Sequence, residues 1–143
     1  MTQETTHATC ISIDGKGILL RGPSGCGKSD LALRLIDQGA HLVADDRVAL
    51  STENGALYAS PPEILTGLME VRGLGLVEMD YKAKSPVRLI VDLVEQEKIE
   101  RMPSPASEEI NGIEISYVQL YAFEASAPAK ARMALDIALG KKG

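Results

Sequence analysis

The chain has 143 residues and a formal net charge of −5, which predicts a single domain and argues against a nucleic-acid or membrane-surface binder. Four Tyr, one Phe and no Trp are too few aromatic rings for a platform on which single-stranded bases stack. No apolar run has the length of a membrane span, the first residues are polar, and the two cysteines lack a metal-type or CxxC spacing. We therefore expect a cytoplasmic protein with one domain over residues 1–143, in which residues 1–6 form a mobile tail.

The first third of the chain predicts two strands, a glycine-rich loop, a helix and a third strand. β-Branched residues alternate before an Asp-Gly turn, a second aliphatic run follows, and apolar residues then recur at helical spacing. The predicted elements are a strand over residues 8–13, a turn at Asp14-Gly15, a strand at Gly17–Arg21, a loop at Gly22–Ser29, a helix that ends before Gly39 and a strand at His41–Ala44.

The rest of the chain predicts a β-rich middle and a C-terminal helix. Asn-Gly pairs mark hairpin turns, and the aliphatic run VRLIVDLV is typical of a strand buried on both faces. The predicted elements are strands at Arg47–Ser51 and Ala56–Ala59, a helical turn after Pro61-Pro62, a loop against the core at Leu68–Leu76, a central strand at Val87–Val94, a mobile loop over residues 95–109, a strand at Ile113–Phe123 and a helix at Pro128–Leu139 with Ser126 as its cap.

The glycine-rich loop spells a complete Gly-x-x-x-x-Gly-Lys-Ser between a predicted strand and a predicted helix, the context that a phosphate-binding loop requires. Backbone N–H groups of such a loop and the helix N-terminus bind phosphates, the lysine reaches the β- and γ-phosphates, and the serine hydroxyl ligates Mg²⁺. ATP and Mg²⁺ are therefore the expected cofactors. The candidate binding residues are Gly22, Pro23, Ser24, Gly25, Cys26, Gly27, Lys28 and Ser29.

Two adjacent carboxylates follow the predicted strand at His41–Ala44. In a parallel sheet this position lies at the carboxyl edge, beside the nucleotide crevice. One carboxylate, Asp45, could order Mg²⁺ or its waters, and the other, Asp46, could accept the proton of an attacking hydroxyl. A turn-forming aspartate pair without catalytic function is the alternative.

Four further residues have a functional and a structural interpretation. Glu70 and Arg72, inside an apolar stretch, could form a structural ion pair or provide a metal ligand beside a phosphate-facing cation. His7 is a lone histidine near the end of the chain, which composition alone treats as incidental. Arg101 lies on a polar loop, where it could be solvated or close over a phosphate, and the residues alone favour the first.

Several segments together resemble the signatures of the HPr kinase/phosphorylase family: GPSGCGKSD, GAHLVADDRV and LMEVRGLG. The resemblance implies an α/β P-loop kinase domain, related to phosphoenolpyruvate carboxykinase, with a mixed β-sheet, a P-loop helix and a C-terminal helix. It also implies roles for individual residues. His7 is implied as an active-site residue, Lys28 as the phosphate-binding lysine, Ser29 and Glu70 as Mg²⁺ ligands, Asp46 as the acid that deprotonates the target serine, and Arg72 and Arg101 as catalytic arginines.

The function implied by this resemblance is a protein serine kinase that acts on the phosphocarrier HPr or a close paralogue. The family's segment for dephosphorylation is replaced here by Ala125–Arg132, so phosphorylase activity is not expected. The chain resembles the short form that consists of the catalytic domain alone, and because the family tends to assemble into rings, a homo-oligomer is implied. The rival functions are a small-metabolite P-loop kinase and a nucleotide-sensing regulatory module without turnover.

Overall fold

The computed structural model describes residues 4–141, which form eleven β-strands and two α-helices. Two short 3-10 turns lie at Glu63–Leu65 and Gln96–Lys98. The elements are β1 (Glu4–Thr6), β2 (Thr9–Ile13), β3 (Lys16–Arg21), α1 (Lys28–Asp37), β4 (His41–Ala44), β5 (Val48–Glu53), β6 (Ala56–Ser60), β7 (Leu68–Val71), β8 (Gly75–Glu78), β9 (Ser85–Leu93), β10 (Ala106–Ile110), β11 (Ile113–Leu120) and α2 (Ala127–Ala138).

Strand β9 is the centre of the sheet and pairs with three other strands. It runs parallel to β3 on one side and to β11 on the other, and its first residues pair antiparallel with β6. Beyond β3 the order continues through β2 to β4, beyond β11 lies β10, and beyond β6 lie β5 and β1. The aliphatic run of β9 is buried on both faces, as the sequence predicted.

Apolar residues on the two faces of the sheet belong to separate cores. Ile18 and Leu20 of β3 pack toward Leu31 and Leu35 of α1, whereas Leu19, between them, packs against β5 and β6 on the opposite face. Side chains of a strand point alternately to its two faces, so a continuous apolar run supplies both cores. Each buried leucine or isoleucine contributes roughly 1.5–3 kcal/mol relative to an exposed one.

The predicted turns at Asp14-Gly15, Asn54-Gly55 and Asn111-Gly112 are confirmed. In each pair both residues have positive φ, from 50° to 52° for the first and from 78° to 80° for the second. Such turns match the right-handed twist of the strands that they join, and Asn, Asp and Gly adopt them most readily. In the same way, Gly39 follows α1 with φ of 109°.

Two predicted loops are wrong. Leu68–Leu76, predicted as a loop, forms most of the hairpin β7–β8, which pairs only with itself; Met69 reaches the core while Leu74 and Leu76 are exposed. The predicted mobile loop over residues 95–109 contains a 3-10 turn and most of β10, which pairs with β11. Strand β10 has the sequence ASEEI and no apolar alternation, because it is an edge strand with little core to cover.

The expected tail at residues 1–6 and the expected C-terminal elements also need correction. Residues 4–6 form β1, which pairs with β5 and is not a tail, while residues 1–3 lie outside the described part of the chain. Strand β11 ends at Leu120, before the predicted Phe123. Ser126 occupies the N-cap of α2, but its side chain makes no capping hydrogen bond. Within residues 4–141, neither helix has the length and hydropathy that crossing a membrane requires.

The ends of several strands meet at one edge of the sheet, although β3 and β4 are not paired with each other. Strand β2 lies between them and is antiparallel to both, so β3 and β4 point the same way, as does β9. The phosphate-loop segment after β3 and the aspartates after β4 therefore lie at the same edge. Because β2 runs the opposite way, its beginning, with His7 just before it, lies there too.

Candidate active site

The Gly22–Ser29 loop connects β3 to α1, and its lysine folds back over its own backbone. Lys28 is the first residue of α1, and its Nζ donates hydrogen bonds to the carbonyl oxygens of Gly22 at 2.6 Å and Pro23 at 3.2 Å. The Cys26 N–H also donates to the Pro23 carbonyl, at 3.1 Å. The ammonium group of Lys28 is therefore held at the loop, where it can exchange carbonyl oxygens for those of a phosphate.

The two cysteines have different surroundings. Cys10 is fully buried in β2, and burial raises the pKa of its thiol to about 12, so it behaves as a core residue. Cys26 is half-buried in the phosphate loop, with its Sγ 3.8 Å from Lys28 Nζ. Cys26 therefore lies beside Lys28 in the loop, whereas Cys10 lies in the core.

Gly27 leaves no room for a side chain. It has φ of +99°, and a Cβ there would lie 2.6 Å from the Ala122 Cβ and 3.1 Å from the Phe123 ring. The segment it touches is tied to α1 because Arg34 donates to the carbonyl oxygens of Ala122 and, at 3.2 Å, of Glu124. The loop is thus wedged between α1 and the chain that follows β11.

Replacing Gly27 by Ala is expected to cost about 1–3 kcal/mol of folding free energy, because the Ala122 Cβ is fixed to its backbone and cannot rotate away. The measurement is urea unfolding of the variant and the wild type. Gly25→Ala is the matched control, since Gly25 has φ of +84° in the same loop but nothing within 4 Å of its Cβ position. Equal losses in the two variants would contradict the role given to Ala122.

Asp45 is the centre of a buried hydrogen-bond network. Its Oδ1 accepts from Ser29 Oγ at 2.7 Å and from Thr9 Oγ1 at 3.1 Å, and its Oδ2 accepts from the Glu70 backbone N–H at 3.3 Å. Only 5% of Asp45 is exposed. Thr9, on β2, was missed by the sequence analysis; its signal is a hydroxyl within an apolar strand, too weak to single it out.

The Asp45 carboxylate has no cationic partner: among residues 4–141, no Lys, Arg or His side chain forms an ion pair with it. Buried carboxylates are usually neutralised by a cation or by a metal ion. The Asp45 carboxylate and the Ser29 hydroxyl are the hard oxygen ligands that Mg²⁺ prefers. The donor set therefore fits Mg²⁺.

No group of three or more His, Cys, Asp or Glu side chains converges within the described residues. A metal cage built by the protein alone is thus not present there. Mg²⁺ usually binds through one or two carboxylates and takes its other ligands from water and from substrate phosphates. Ser29 and Asp45 meet this requirement. Glu70 contributes its backbone N–H to the network, and its side chain is exposed.

Asp46 has the opposite environment to its neighbour. Its side chain is 68% exposed, and its Oδ1 accepts a hydrogen bond from His7 Nε2 at 2.9 Å. Because a carboxylate only accepts, Nε2 carries the proton. Asp46 also has φ of 70°, and the Arg47 N–H bonds the Asp45 carbonyl at 2.8 Å. The aspartates thus do form a turn, and the turn directs one carboxylate inward and the other toward solvent.

The two remaining candidate arginines are exposed. Arg72 lies in the turn between β7 and β8, and Arg101 lies between the 3-10 turn and β10. Neither side chain forms a hydrogen bond or an ion pair with another residue of the described chain, so no such bond ties them to Asp45 or Asp46. The structural ion pair considered for Glu70 and Arg72 is likewise not formed within residues 4–141.

Comparison with known proteins bears on the whole domain. The family model described as the HPr serine kinase C-terminal domain matches residues 1–130. The HPr kinase/phosphorylase of Bordetella pertussis is 41% identical over 128 residues, which cover 81% of this chain and 42% of that protein. The HPr kinase/phosphorylase of Streptococcus thermophilus is 43% identical over 86 residues, 59% of this chain and 28% of that protein.

The solved structure of the Hpr(Ser) kinase/phosphatase from Coxiella burnetii has a TM-score of 0.83 and 29% sequence identity, and the match covers 94% of this chain and 95% of that one. This likeness confirms the predicted α/β fold with a mixed sheet. The chain spans about two fifths of the length of the curated Bordetella relatives that it matches. On these matches, together with the phosphate loop and the paired aspartates, the chain belongs to the HPr serine kinase C-terminal domain family.

Proposed function

We propose that this protein is a cytoplasmic, ATP- and Mg²⁺-dependent protein serine kinase that phosphorylates the phosphocarrier HPr or a close paralogue. The observation that carries the proposal is that two adjacent carboxylates beside a phosphate loop have different environments. Asp45 is buried against Ser29, and Asp46 is exposed and held by His7. Relatives named HPr kinase/phosphorylase support HPr as the acceptor.

The Gly22–Ser29 loop would bind the β- and γ-phosphates of ATP. Lys28 would release the carbonyl oxygens of Gly22 and Pro23 and donate to phosphate oxygens. Ser29 and Asp45 would hold Mg²⁺, which supplies charge neutralisation at the phosphates. Arg72 and Arg101, both exposed, would have to approach the γ-phosphate when the two substrates are bound.

Asp46 would act as the general base. The serine oxygen of HPr forms a bond to the γ-phosphorus, the bond between that phosphorus and the bridging oxygen to the β-phosphate breaks, and ADP leaves. The hydroxyl proton passes to the Asp46 carboxylate. His7 Nε2 occupies one lone pair of Oδ1 and so orients the carboxyl group, which leaves Oδ2 available to the acceptor.

Neither rival function is favoured. A small-metabolite P-loop kinase usually carries several long helices and an arginine-bearing lid, whereas the α-helices here have 10 and 12 residues beside eleven strands in the described chain. A regulatory module without turnover would have no use for an exposed, oriented carboxylate at Asp46. Phosphorylase activity is not proposed, because Ala125–Arg132 replaces the segment that the family resemblance links to dephosphorylation.

The acceptor assay tests this proposal directly. The protein is incubated with purified HPr and Mg²⁺·ATP, and phosphate is mapped on HPr by mass spectrometry. We expect one added phosphate on a serine, lost when that serine is replaced by alanine or when Lys28→Ala is used as the kinase. No phosphate on any HPr serine, from a protein that binds ATP, would refute the choice of acceptor.

A further inference from the structure

Four polar side chains, which we call the Arg21 cluster, lie on the sheet face opposite α1. They are Arg21 of β3, Asp92 of β9, Glu108 of β10 and Tyr117 of β11. Arg21 and Asp92 follow the alternation of Leu19 and Ile90, which pack in the core away from α1. The function proposed above uses none of the four.

Arg21 is held by two carboxylates at once, each with two hydrogen bonds. Its Nε and Nη2 donate to Asp92 at 2.7 and 3.0 Å, and its Nη1 and Nη2 donate to Glu108 at 2.6 and 2.8 Å. Tyr117 donates its hydroxyl to Asp92 at 2.9 Å, and its ring centroid lies 6.0 Å from the Arg21 guanidinium carbon. This geometry fixes the plane and position of the guanidinium group.

The electrostatics agree with a tight cluster. The hydrogen bonds that Arg21 donates to Glu108 and then to Asp92 raise the pKa of Arg21 above its usual range, and the hydrogen bond that Glu108 accepts from Arg21 lowers the pKa of Glu108. Desolvation, followed by Asp92, raises the pKa of Tyr117. The side chains of Arg21 and Asp92 are 24% and 27% exposed, so solvent screens this pair less than a surface pair.

The cluster adjoins the phosphate loop through the ends of β3 and β9. Arg21 precedes Gly22, Asp92 precedes Leu93, and Arg21 and Asp92 are register partners. The Leu93 carbonyl oxygen lies only 3.0 Å from the place where a Cβ of Gly22 would be. Gly22 in turn accepts the hydrogen bond from Lys28 Nζ. A shift of β3 against β9 at this point therefore moves the carbonyl group that orients the lysine.

We propose that Arg21 is a positioning residue for nucleotide binding, which clamps the ends of β3 and β9 through Asp92 and couples the β10–β11 hairpin to the phosphate loop through Glu108. The inference rests on the proposed function only in that ATP must bind at Gly22–Ser29. If the cluster served sheet stability alone, substitutions in it would lower the free energy of unfolding without changing the affinity of the folded protein for ATP.

The test compares Mg²⁺·ATP affinity, by isothermal titration calorimetry, with urea unfolding for Arg21→Gln, Asp92→Asn and Glu108→Gln. We expect about tenfold weaker ATP binding for the first two and about threefold for the third, at temperatures where each variant is fully folded. Because Arg21 and Asp92 act through the same hydrogen bonds, the variant with both Arg21→Gln and Asp92→Asn should lose little more ATP affinity than either single variant. Arg21→Lys keeps the positive charge but loses the planar guanidinium group that binds two carboxylates, so its ATP affinity should lie between those of Arg21→Gln and the wild type.

Lys84→Gln is the matched control, because Lys84 pairs with Glu53 and lies 4.7 Å from the Tyr58 ring, away from the phosphate loop. It should lose stability and keep its ATP affinity. Unchanged affinity in Asp92→Asn and Glu108→Gln, or an equal loss in Lys84→Gln, would overturn the inference. If Arg21→Gln fails to fold, the ATP affinity of Glu108→Gln, which changes a partly exposed side chain, still tests the inference. A wild-type protein that binds no ATP would instead refute the proposed function, and this inference with it.

Discussion

Replacing Asp46 by Asn is expected to lower the rate of phosphoryl transfer to HPr by about two to four orders of magnitude, the usual contribution of a general base. The amide has almost the shape of the carboxylate but cannot take the serine proton. The ATP affinity should stay close to that of the wild type, because Asp46 makes no hydrogen bond to the phosphate loop within the described residues. The measurements are kcat with saturating ATP and HPr, and the dissociation constant of Mg²⁺·ATP.

Asp14→Asn is the matched control for this variant. Asp14 is also an exposed aspartate with positive φ, 50° against 70° for Asp46, and it lies in the turn between β2 and β3. Asn adopts this backbone conformation readily, so both variants should fold. A kcat unchanged in Asp46→Asn would remove the general base from the mechanism. A parallel loss of ATP binding would assign Asp46 to the phosphate site.

Replacing Asp45 by Asn is expected to lower the rate of Mg²⁺-dependent phosphoryl transfer by about two to three orders of magnitude, because the metal would lose its charged ligand. Without Mg²⁺ the variant should be close in stability to the wild type. The Asn oxygen still accepts from Ser29 and Thr9, and the amide nitrogen loses the bond from the Glu70 N–H, which is offset because the desolvation cost of a buried carboxylate without a cationic partner disappears. The measurements are the thermal midpoint over a Mg²⁺ titration and the Mg²⁺ dependence of transfer.

Thr9→Val distinguishes the role of Asp45 as a metal ligand from its role in the hydrogen-bond network. It removes one donor to Asp45 and leaves the carboxylate in place, so it should lower stability by about 1–3 kcal/mol and retain the response to Mg²⁺. Asp45→Asn would have the opposite pattern. If Asp45→Asn lowers the midpoint by several degrees and keeps the Mg²⁺ response, Asp45 is a structural residue only.

Features that depend on local backbone chemistry were predictable. The Asp14-Gly15 and Asn54-Gly55 turns follow from residues that tolerate positive φ. The phosphate loop follows from glycine spacing between a strand and a helix. The buried strand β9 follows from its uninterrupted aliphatic run. In each case the determining residues are close together in the sequence.

Features that depend on distant partners were not predictable. Strand β10 has a polar sequence. Its place is fixed by pairing with β11 and by the hydrogen bonds that Glu108 accepts from Arg21, 87 residues away. The hairpin β7–β8 has three glycines and exposed leucines in and around its strands, so its sequence alone resembles that of a loop. The hydrogen bond between His7 and Asp46 spans 39 residues and was not predicted. Family resemblance alone implied that His7 belongs to an active site, because composition treats a lone histidine as incidental.

The pairing of β3 with β9 has a consequence for the order in which the protein is made. Arg21 and Asp92 are 71 positions apart, so the ribosome releases the whole phosphate loop long before the strand against which it rests. Closing so large a ring of chain slows folding, since its entropy is lost before the contacts form. During synthesis, the Gly22–Ser29 loop therefore reaches its final packing only after the segment around Leu93 has emerged.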